Sequence, residues 1–381
     1  MFLIFNSLNF LALLLRQFLE TFLTLNRIKV TFFILLALLF GSATYASDGE
    51  SSSDEKQEPE FNVNEVIMHH IKDSHSWHIL SYKNKEGEEH DVAIPLPVIL
   101  LYGGHLDIFM SSAFHHGEEA VTKGNRTYVL HHETIYATTG LQEAQGEPEE
   151  KPLDFSITRN VTAILISSLL LLWIFISVAR FYKKNPNTAP KGLAGFLEPV
   201  ILFVRDEIVL PNMSKKDADK YIVYLLTVFF FILINNLLGL IPIFPGASNV
   251  TGNIAVTMTL AVFTLVITNV NGSKDYWKHI FATPDVPVFV LPILIIVEII
   301  GIFTKPFALM VRLFANITAG HIIILSLISI IFIFRSTVFA SVSVPFGLFM
   351  SLLEILVAFL QAFIFTMLSA LFIGMAVQKH H

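Results

Sequence analysis

The chain has 381 residues, is 54% hydrophobic and only 15% charged, and carries 35 phenylalanines, which is too apolar for an ordinary soluble domain and points to a membrane protein. It has no cysteine, so disulfides, thiolate metal sites and cysteine nucleophiles are excluded, and no Walker A, GxGxxG or HExxH pattern suggests that it binds and hydrolyses a nucleotide by itself. The net charge of −6 hides an asymmetry: residues 47–155 hold 21 acidic and 7 basic residues, whereas the rest holds 10 acidic and 18 basic.

Residues 27–46 read as a secretory signal. Arg27 and Lys29 form its basic start, residues 30–40 its apolar stretch, and Thr44-Tyr45-Ala46 a small-residue cleavage site. The alternative is an uncleaved first membrane helix. Residues 1–26 are long for a signal's lead-in, as a start codon assigned too far upstream would produce. Residues 47–155 open on the acidic run SDGESSSDEKQEPE, which is too polar to bury a core. Short apolar runs at 94–101 and 128–130, bounded by Gly and Pro, then predict a small, partly β extracytoplasmic domain. Ten of the 14 histidines lie here. The pairs His69/His70, His115/His116 and His131/His132 have ligand chemistry, but no metal-site spacing recurs, so solvated loop histidines are the expectation and no metal is predicted.

Residues 161–181 match the ~20 residues a spanning helix needs. Residues 190–215 are amphipathic, with Glu198, Arg205, Asp206 and Glu207 among apolar residues, and are expected along the membrane interface. Residues 221–243 and 254–270 predict two further spans. The apolar stretch 286–334 would reach roughly 70 Å as one helix, more than twice the ~30 Å hydrocarbon core. It must break into two spans or tilt strongly, and 338–377 poses the same problem. Segment 180–220 carries eight Lys or Arg, segment 271–285 two, and connection 244–253 none. The positive-inside rule places the first two in the cytoplasm and the third outside, and the C-terminal Lys379-His380-His381 then ends inside. No inverted repeat of the transporter kind is visible.

Ionisable groups within apolar spans are functional candidates. Here they are Glu298, Arg312 and Glu354, joined by His321. Lys305 and Arg335 flank the region and are placed to snorkel; Arg312 is too deep for that. At 100° per residue, Asn316 and Glu298 each fall about 40° from Arg312, whereas His321 falls about 180° away. Ala315, Ala319 and Gly320 would let another helix approach closely. Glu354 and Gln361, seven apart, share a stripe, so a natural arrangement pairs His321 with Glu354 and aims Arg312 elsewhere. Arginine does not release its proton in a protein and is a permanent positive barrier. Glu and His hand protons on, and a coupled pair titrates as a unit. The residues therefore suggest two proton paths separated by a fixed cation, bridged only by a moving carboxylate from another protein.

The run KPFALMVRLFANITAGH at 305–321 resembles the signature of the subunit a family of F-type ATP synthases. NNLLGLIP at 235–242, LPILIIVEIIG around Glu298 and LLEILVAFLQAFIFTMLSALFIGMA at 352–376 are also similar to it, so that the resemblance covers about 155–380. It implies that Arg312 meets the essential carboxylate of each c-subunit, and that Glu298, Asn316, His321, Glu354 and Gln361 line two half-channels. In many relatives the positions of His321 and Glu354 carry glutamate and histidine; here the two are exchanged. The implied fold is an all-α polytopic membrane protein of five to six transmembrane helices, two of them long, steeply tilted hairpin helices. A small extracytoplasmic N-terminal domain precedes them. The implied organisation is signal (1–46), acidic His-rich periplasmic domain (47–155) and membrane domain (156–381), in a bacterial inner membrane with the C-terminus cytoplasmic. The implied partners are the c-subunit ring, the subunit b stalk, the rest of the synthase and the bilayer, with no cofactor, nucleic acid or direct nucleotide binding. The long N-terminal segment departs from the family core and resembles extensions of some Bacteroidetes-like versions. A proton-coupled transporter is the chief rival, but it would show a polar substrate cavity and usually pseudo-repeats; a membrane scaffold would not need a central arginine.

Overall fold

A computed structural model describes residues 72–83, 89–117, 119–131, 133–139, 150–185, 189–241, 248–281, 287, 289–334 and 337–378. The chain divides into two compact units after Glu60, and every described residue belongs to the second, Phe61–His381. The expected signal, the acidic run, His69, His70, His132 and the His116 side chain lie outside the described residues.

The described residues before the helices form eight short strands: β1 (Ser76–Lys83), β2 (Glu89–Pro95), β3 (Pro97–Tyr102), β4 (His105–Met110), β5 (Val121–Lys123), β6 (Arg126–His131), β7 (Thr134–Thr139) and β8 (Leu153–Asp154). They pair antiparallel in three sheets, ordered β1-β2, β4-β3-β8 and β5-β6-β7. Alternation along β3 buries Val98 and Leu100 and turns Ile99 and Leu101 the other way, the period of two that a strand imposes. Val98, Leu100, Phe109, Phe114, Tyr128 and Ile135 make a core shared by the second and third sheets, with Phe109 and Phe114 edge-to-face at 5.4 Å. Asp107 ties the same two sheets together. It accepts from Arg126 Nε at 2.8 Å, from Arg126 Nη2 at 2.9 Å and from Tyr128 Oη at 2.6 Å. The Arg126 guanidinium holds the Asp107 carboxyl below the usual carboxylate range. Burial, with the nearby Asp107 charge, pushes the Tyr128 phenol up to about 12.

The helices that follow among the described residues, apart from a short turn at Leu210–Asn212, are α1 (Arg159–Lys184), α2 (Leu193–Phe203), α3 (Lys215–Gly239), α4 (Ile254–Val270), α5 (Lys274–Phe281), α6 (Leu291–Phe334) and α7 (Thr337–Val377). Four of them, α1, α3, α6 and α7, are long and apolar enough to cross a membrane, and α4 with α5 forms a fifth candidate bent by 99°. The apolar stretches 286–334 and 338–377 do not break: α6 runs for 44 residues through Pro306 and α7 for 41 through Pro345. The α2 segment continues into a π-helical turn at Val204–Val209. Arg205, Asp206 and Glu207 are exposed there, but Val204, Ile208 and Val209 are buried in the core. The expected amphipathic segment is thus packed into the bundle along one side. Leu225, Phe229 and Ile232 make α3 the central helix, with Leu309, Leu313, Ala362 and Phe365 of α6 and α7 in the same core.

Helix starts follow local chemistry. Ser214, Asn253 and Thr158 cap α3, α4 and α1 by accepting from backbone N–H groups, which have no partner within the first turn of a helix. The start of α1 has a second acceptor. Asp73 takes the Asn160 N–H at 3.0 Å and the Thr158 hydroxyl at 2.8 Å, a carboxylate at the positive end of a helix. Arg159 donates to the Lys72 carbonyl at 2.7 Å, and Trp77 packs against Ala163 and Val250. The β region is therefore fastened to α1 and to the connection preceding α4.

Asp107→Asn removes the charge that both Arg126 and Tyr128 use. A carboxyl whose folded pKa is depressed contributes stability that is present above its unfolded value of about 3.9 and lost as pH falls through the folded value. The variant's β6 amides should exchange hydrogen faster than wild type at neutral pH, with the difference closing as the pH falls below the usual carboxylate range; measurement on the full chain at neutral and acid pH checks this.

Candidate functional site

The run 305–321 lies within α6. Leu309, Leu313 and Ile317 are buried, so this face packs into the bundle. Arg312 and Asn316 lie off that face and are exposed. Among the described residues Arg312 makes no hydrogen bond or ion pair. A guanidinium is costly at the apolar surface of a spanning helix unless an acidic group or water meets it.

Glu298 is half-buried and lines a cavity of about 450 Å³. Thr264 and Asn269 of α4, Asp275 and His279 of α5, Lys305 of α6 and Gln378 beyond α7 share its wall. The cavity holds both signs of charge and several hydroxyl and amide groups, the lining that water requires. Lys305, expected from sequence to snorkel, lies on this wall with Nζ 5.7 Å from the Phe372 ring centroid.

His321 meets α7. Its Nδ1 lies 3.6 Å from Glu354 Oε1, within ion-pair range but beyond a hydrogen bond. Glu354 is 6% exposed, and among the described residues neither carboxylate oxygen has a hydrogen-bond partner. The approach depends on Gly320, where an added Cβ would come within 2.5 Å of Glu354 Oε1. Gly239 does the same for α3: its missing Cβ would lie 3.1 Å from the Ser248 carbonyl and 3.8 Å from His321 Nε2. Gln361 follows Glu354 on α7 and is also buried.

A polar cluster adjoins this pair that the sequence reading did not single out. Ser248 Oγ donates to Asn160 Oδ1 at 2.6 Å, and the Thr251 hydroxyl donates to Asn236. Asn160, Asn235, Asn236, Ser248 and Thr251 are all buried, yet Asn235 Oδ1 and Asn236 Nδ2 remain unpartnered. The signal for it was the pair Asn235-Asn236 within an apolar span; Asn160 and Ser248, 88 residues apart, gave none. On the other side, Tyr224 Oη, Thr264 Oγ1 and Ser369 Oγ join α3, α4 and α7 at 2.9 Å and 3.2 Å. Of the six residues singled out from sequence, the structure brings His321 and Glu354 together and gives Glu298 a different set of neighbours. Among the described residues, no three His, Asp or Glu side chains are grouped to hold a metal ion.

Gly320→Ala should push Glu354 aside or part α6 from α7, an overpacking cost of about 1–3 kcal/mol. A fall of several degrees in the melting temperature of the purified chain is expected, and an unchanged melt would show that the contact is not needed.

The comparisons with known proteins divide the chain where the strands give way to the helices. The family described as "ATP synthase A chain" matches residues 161–374, and "Domain of unknown function (DUF8433)" matches residues 66–155. "ATP synthase subunit a 2" of Chlorobium luteolum is 53% identical over 231 residues, 59% of this chain and 66% of that protein. Its namesake in Prosthecochloris aestuarii is 54% identical over 230 residues, 58% of this chain and 69% of that protein. "ATP synthase subunit a" of Pelodictyon phaeoclathratiforme is 45% identical over 273 residues, 70% of this chain and 78% of that protein. The chain thus spans about two thirds of the length of the first two relatives. With the family matched over more than half of its 381 residues, the chain belongs to the ATP synthase A chain family.

Proposed function

We propose that this chain is the stationary proton-conducting subunit of an F-type ATP synthase, with two offset half-channels separated by Arg312 at the surface facing a rotating c-subunit ring. The observation that carries the reading is the division along α6. Arg312 is exposed and without an ion pair among the described residues, Glu298 opens onto one polar cavity, and His321 meets Glu354 in another polar cluster. The names of the relatives support the same role.

The proposed mechanism uses each group for what its chemistry permits. Protons enter from outside past Asn160, Ser248 and Asn236 and reach the His321–Glu354 pair, both of which exchange protons readily. From there a proton passes, with Asn316 and Gln361 lining the way, to a carboxylate on the ring. Neutralised, that carboxylate turns into the lipid and returns on the far side, where it releases its proton toward Glu298 and the cavity that opens to the cytoplasm. Arg312 holds its charge throughout, because guanidinium does not deprotonate in a protein. It attracts the bare carboxylate and bars a proton from crossing directly. At about 1.5 Å per residue, α6 and α7 greatly exceed the bilayer's ~30 Å, so a strong tilt along the ring accommodates them. The basic segments 180–220 and 271–285 face the cytoplasm, and residues 47–155 and the C-terminus lie outside and inside respectively. The chain contributes no catalytic site of its own, and the ring, the subunit b stalk and the rest of the synthase are its partners.

Arg312→Ala should abolish ATP-driven proton pumping in inverted vesicles while the complex still assembles; full pumping would overturn the assignment. Glu354→Gln and His321→Ala should slow flux less, by about tenfold, on the order of 1.4 kcal/mol in barrier, since water bridges part of a broken relay. Exchanging the pair tests whether its two members act together. His321→Glu and Glu354→His should each impair pumping when made singly, and the double variant should recover most of it, a coupling that a double-mutant cycle measures.

A further inference from the structure

The sheet β4-β3-β8 carries apolar side chains on both faces, with Asp107 a charged group on the inner one. Its inner face carries Val98, Leu100 and Phe109 into the core. The outer face presents Leu106, Ile108 and Met110 from β4 and Leu153 and Phe155 from the β8 side, all exposed, with Ile108 at 60% and Phe155 at 62%. The register sets Leu106 opposite Leu101 and Ile108 opposite Ile99, and Leu153 opposite Leu101 on the other flank, so the aliphatic surface is continuous across three strands. A solvated antiparallel sheet alternates apolar-in with polar-out, and this one does not. Exposed apolar surfaces of this extent mark sites of contact.

Two observations identify what covers it. The first is continuity with the membrane helix. The ladder with β3 does not stop at β8: the Phe155 N–H donates to the Ile99 carbonyl and the Ile157 N–H to the Pro97 carbonyl, at 2.9 Å and 3.0 Å. Thr158, the next residue, caps α1, whose first exposed apolar side chains are Val161 and Leu165. The sheet therefore reaches the start of a membrane-length helix with no slack between them, and Asp73 braces the junction. The second is chemistry. The outer face carries no hydrogen-bonding side chain and no Tyr, Trp or Arg, whereas a protein interface carries about one hydrogen bond per 100–200 Å² and is anchored by those residues. A face of Leu, Ile, Met and Phe matches hydrocarbon.

We propose that the outer face of β4-β3-β8 is a lipid-docking surface, seated in the interfacial layer of the bilayer beside the start of α1, so that the N-terminal domain is a monotopic element rather than a free extramembranous one. This rests on the reading that α1 crosses the membrane. The edges of β4 and β8 keep their free backbone groups at headgroup depth, where water reaches them, as a shallow seat requires.

The cysteine-free sequence makes the test direct. Single Ile108→Cys, Asn125→Cys and Leu169→Cys variants of the full chain, in the membrane complex in which it is isolated, are labelled with the environment-sensitive fluorophore NBD. They are then reconstituted into phosphatidylcholine vesicles with or without a spin-labelled phosphatidylcholine quencher. Asn125 is an exposed turn residue of the same region and Leu169 an exposed residue of α1. Ile108→Cys should emit further to the blue and be quenched about threefold more strongly than Asn125→Cys, as an interfacial position is, with Leu169→Cys quenched as well. Quenching at Leu169→Cys with none at Ile108→Cys overturns the docking proposal while the span of α1 stands. A blue-shifted but unquenched Ile108→Cys means that a protein partner or second copy covers the face, which also overturns it. No quenching at Leu169→Cys removes the span on which both readings rest.

Discussion

Glu354 sits where two apolar helices press together; among the described residues both its oxygens lack hydrogen-bond donors and only His321 lies within ion-pair range. An isolated carboxylate in such surroundings costs several kcal/mol unless a partner or a proton relieves it. Much of the helical region is arranged around that constraint. Gly320 on α6 makes room for the side chain and Gly239 on α3 makes room for the imidazole, while Asn160, Asn236, Ser248 and Thr251 gather polar groups on one side of the pair. The main core of the helices is built largely of Leu, Ile, Val and Phe.

The β region follows a different logic. Its two main sheets close on a small aromatic and aliphatic core, and the Asp107–Arg126 pair locks them across the remaining gap. Its attachment to the helices is polar and local: Asp73 and the Lys72 carbonyl receive the start of α1, and Trp77 fills the space beside Val250. The same connection, residues 248–251, carries Ser248 toward Asn160 and His321. The segment matching a domain of unknown function thus buttresses the rim of the polar cluster that adjoins His321 and Glu354.

Much of the helical region was legible because its signals are local. An apolar run of 161–181 becomes α1 at Arg159–Lys184, and 254–270 becomes α4 at Ile254–Val270. Helical periodicity put His321 opposite Arg312, and in the structure the imidazole meets α7 while the guanidinium is exposed. What stayed hidden depends on distance through space. Nothing in the residues around Asn160 announces Ser248, the Asp275 that shares a wall with Lys305 sits on α5, which an unpredicted 99° bend sets off from α4, and the π-helical turn after α2 packs against α3 and α7. Among the described residues eight strands emerged where two apolar runs had been noticed, since strands of two to eight residues carry weaker patterns than spans.

The close fit of Gly320 against Glu354 also bears on how the family's sequences vary. With a long acidic side chain at position 354, position 320 is held at glycine, since any Cβ collides with the carboxylate. A residue at 354 that is shorter, or that turns its polar end away, lifts that restriction and leaves a void that a small side chain at 320 would fill. The two positions, on different helices and far apart in the chain, are therefore expected to change as a pair. A glutamate at 354 facing a histidine at 321 therefore concerns volume as much as charge, for it decides which helix must give up a side chain so that the other can reach across.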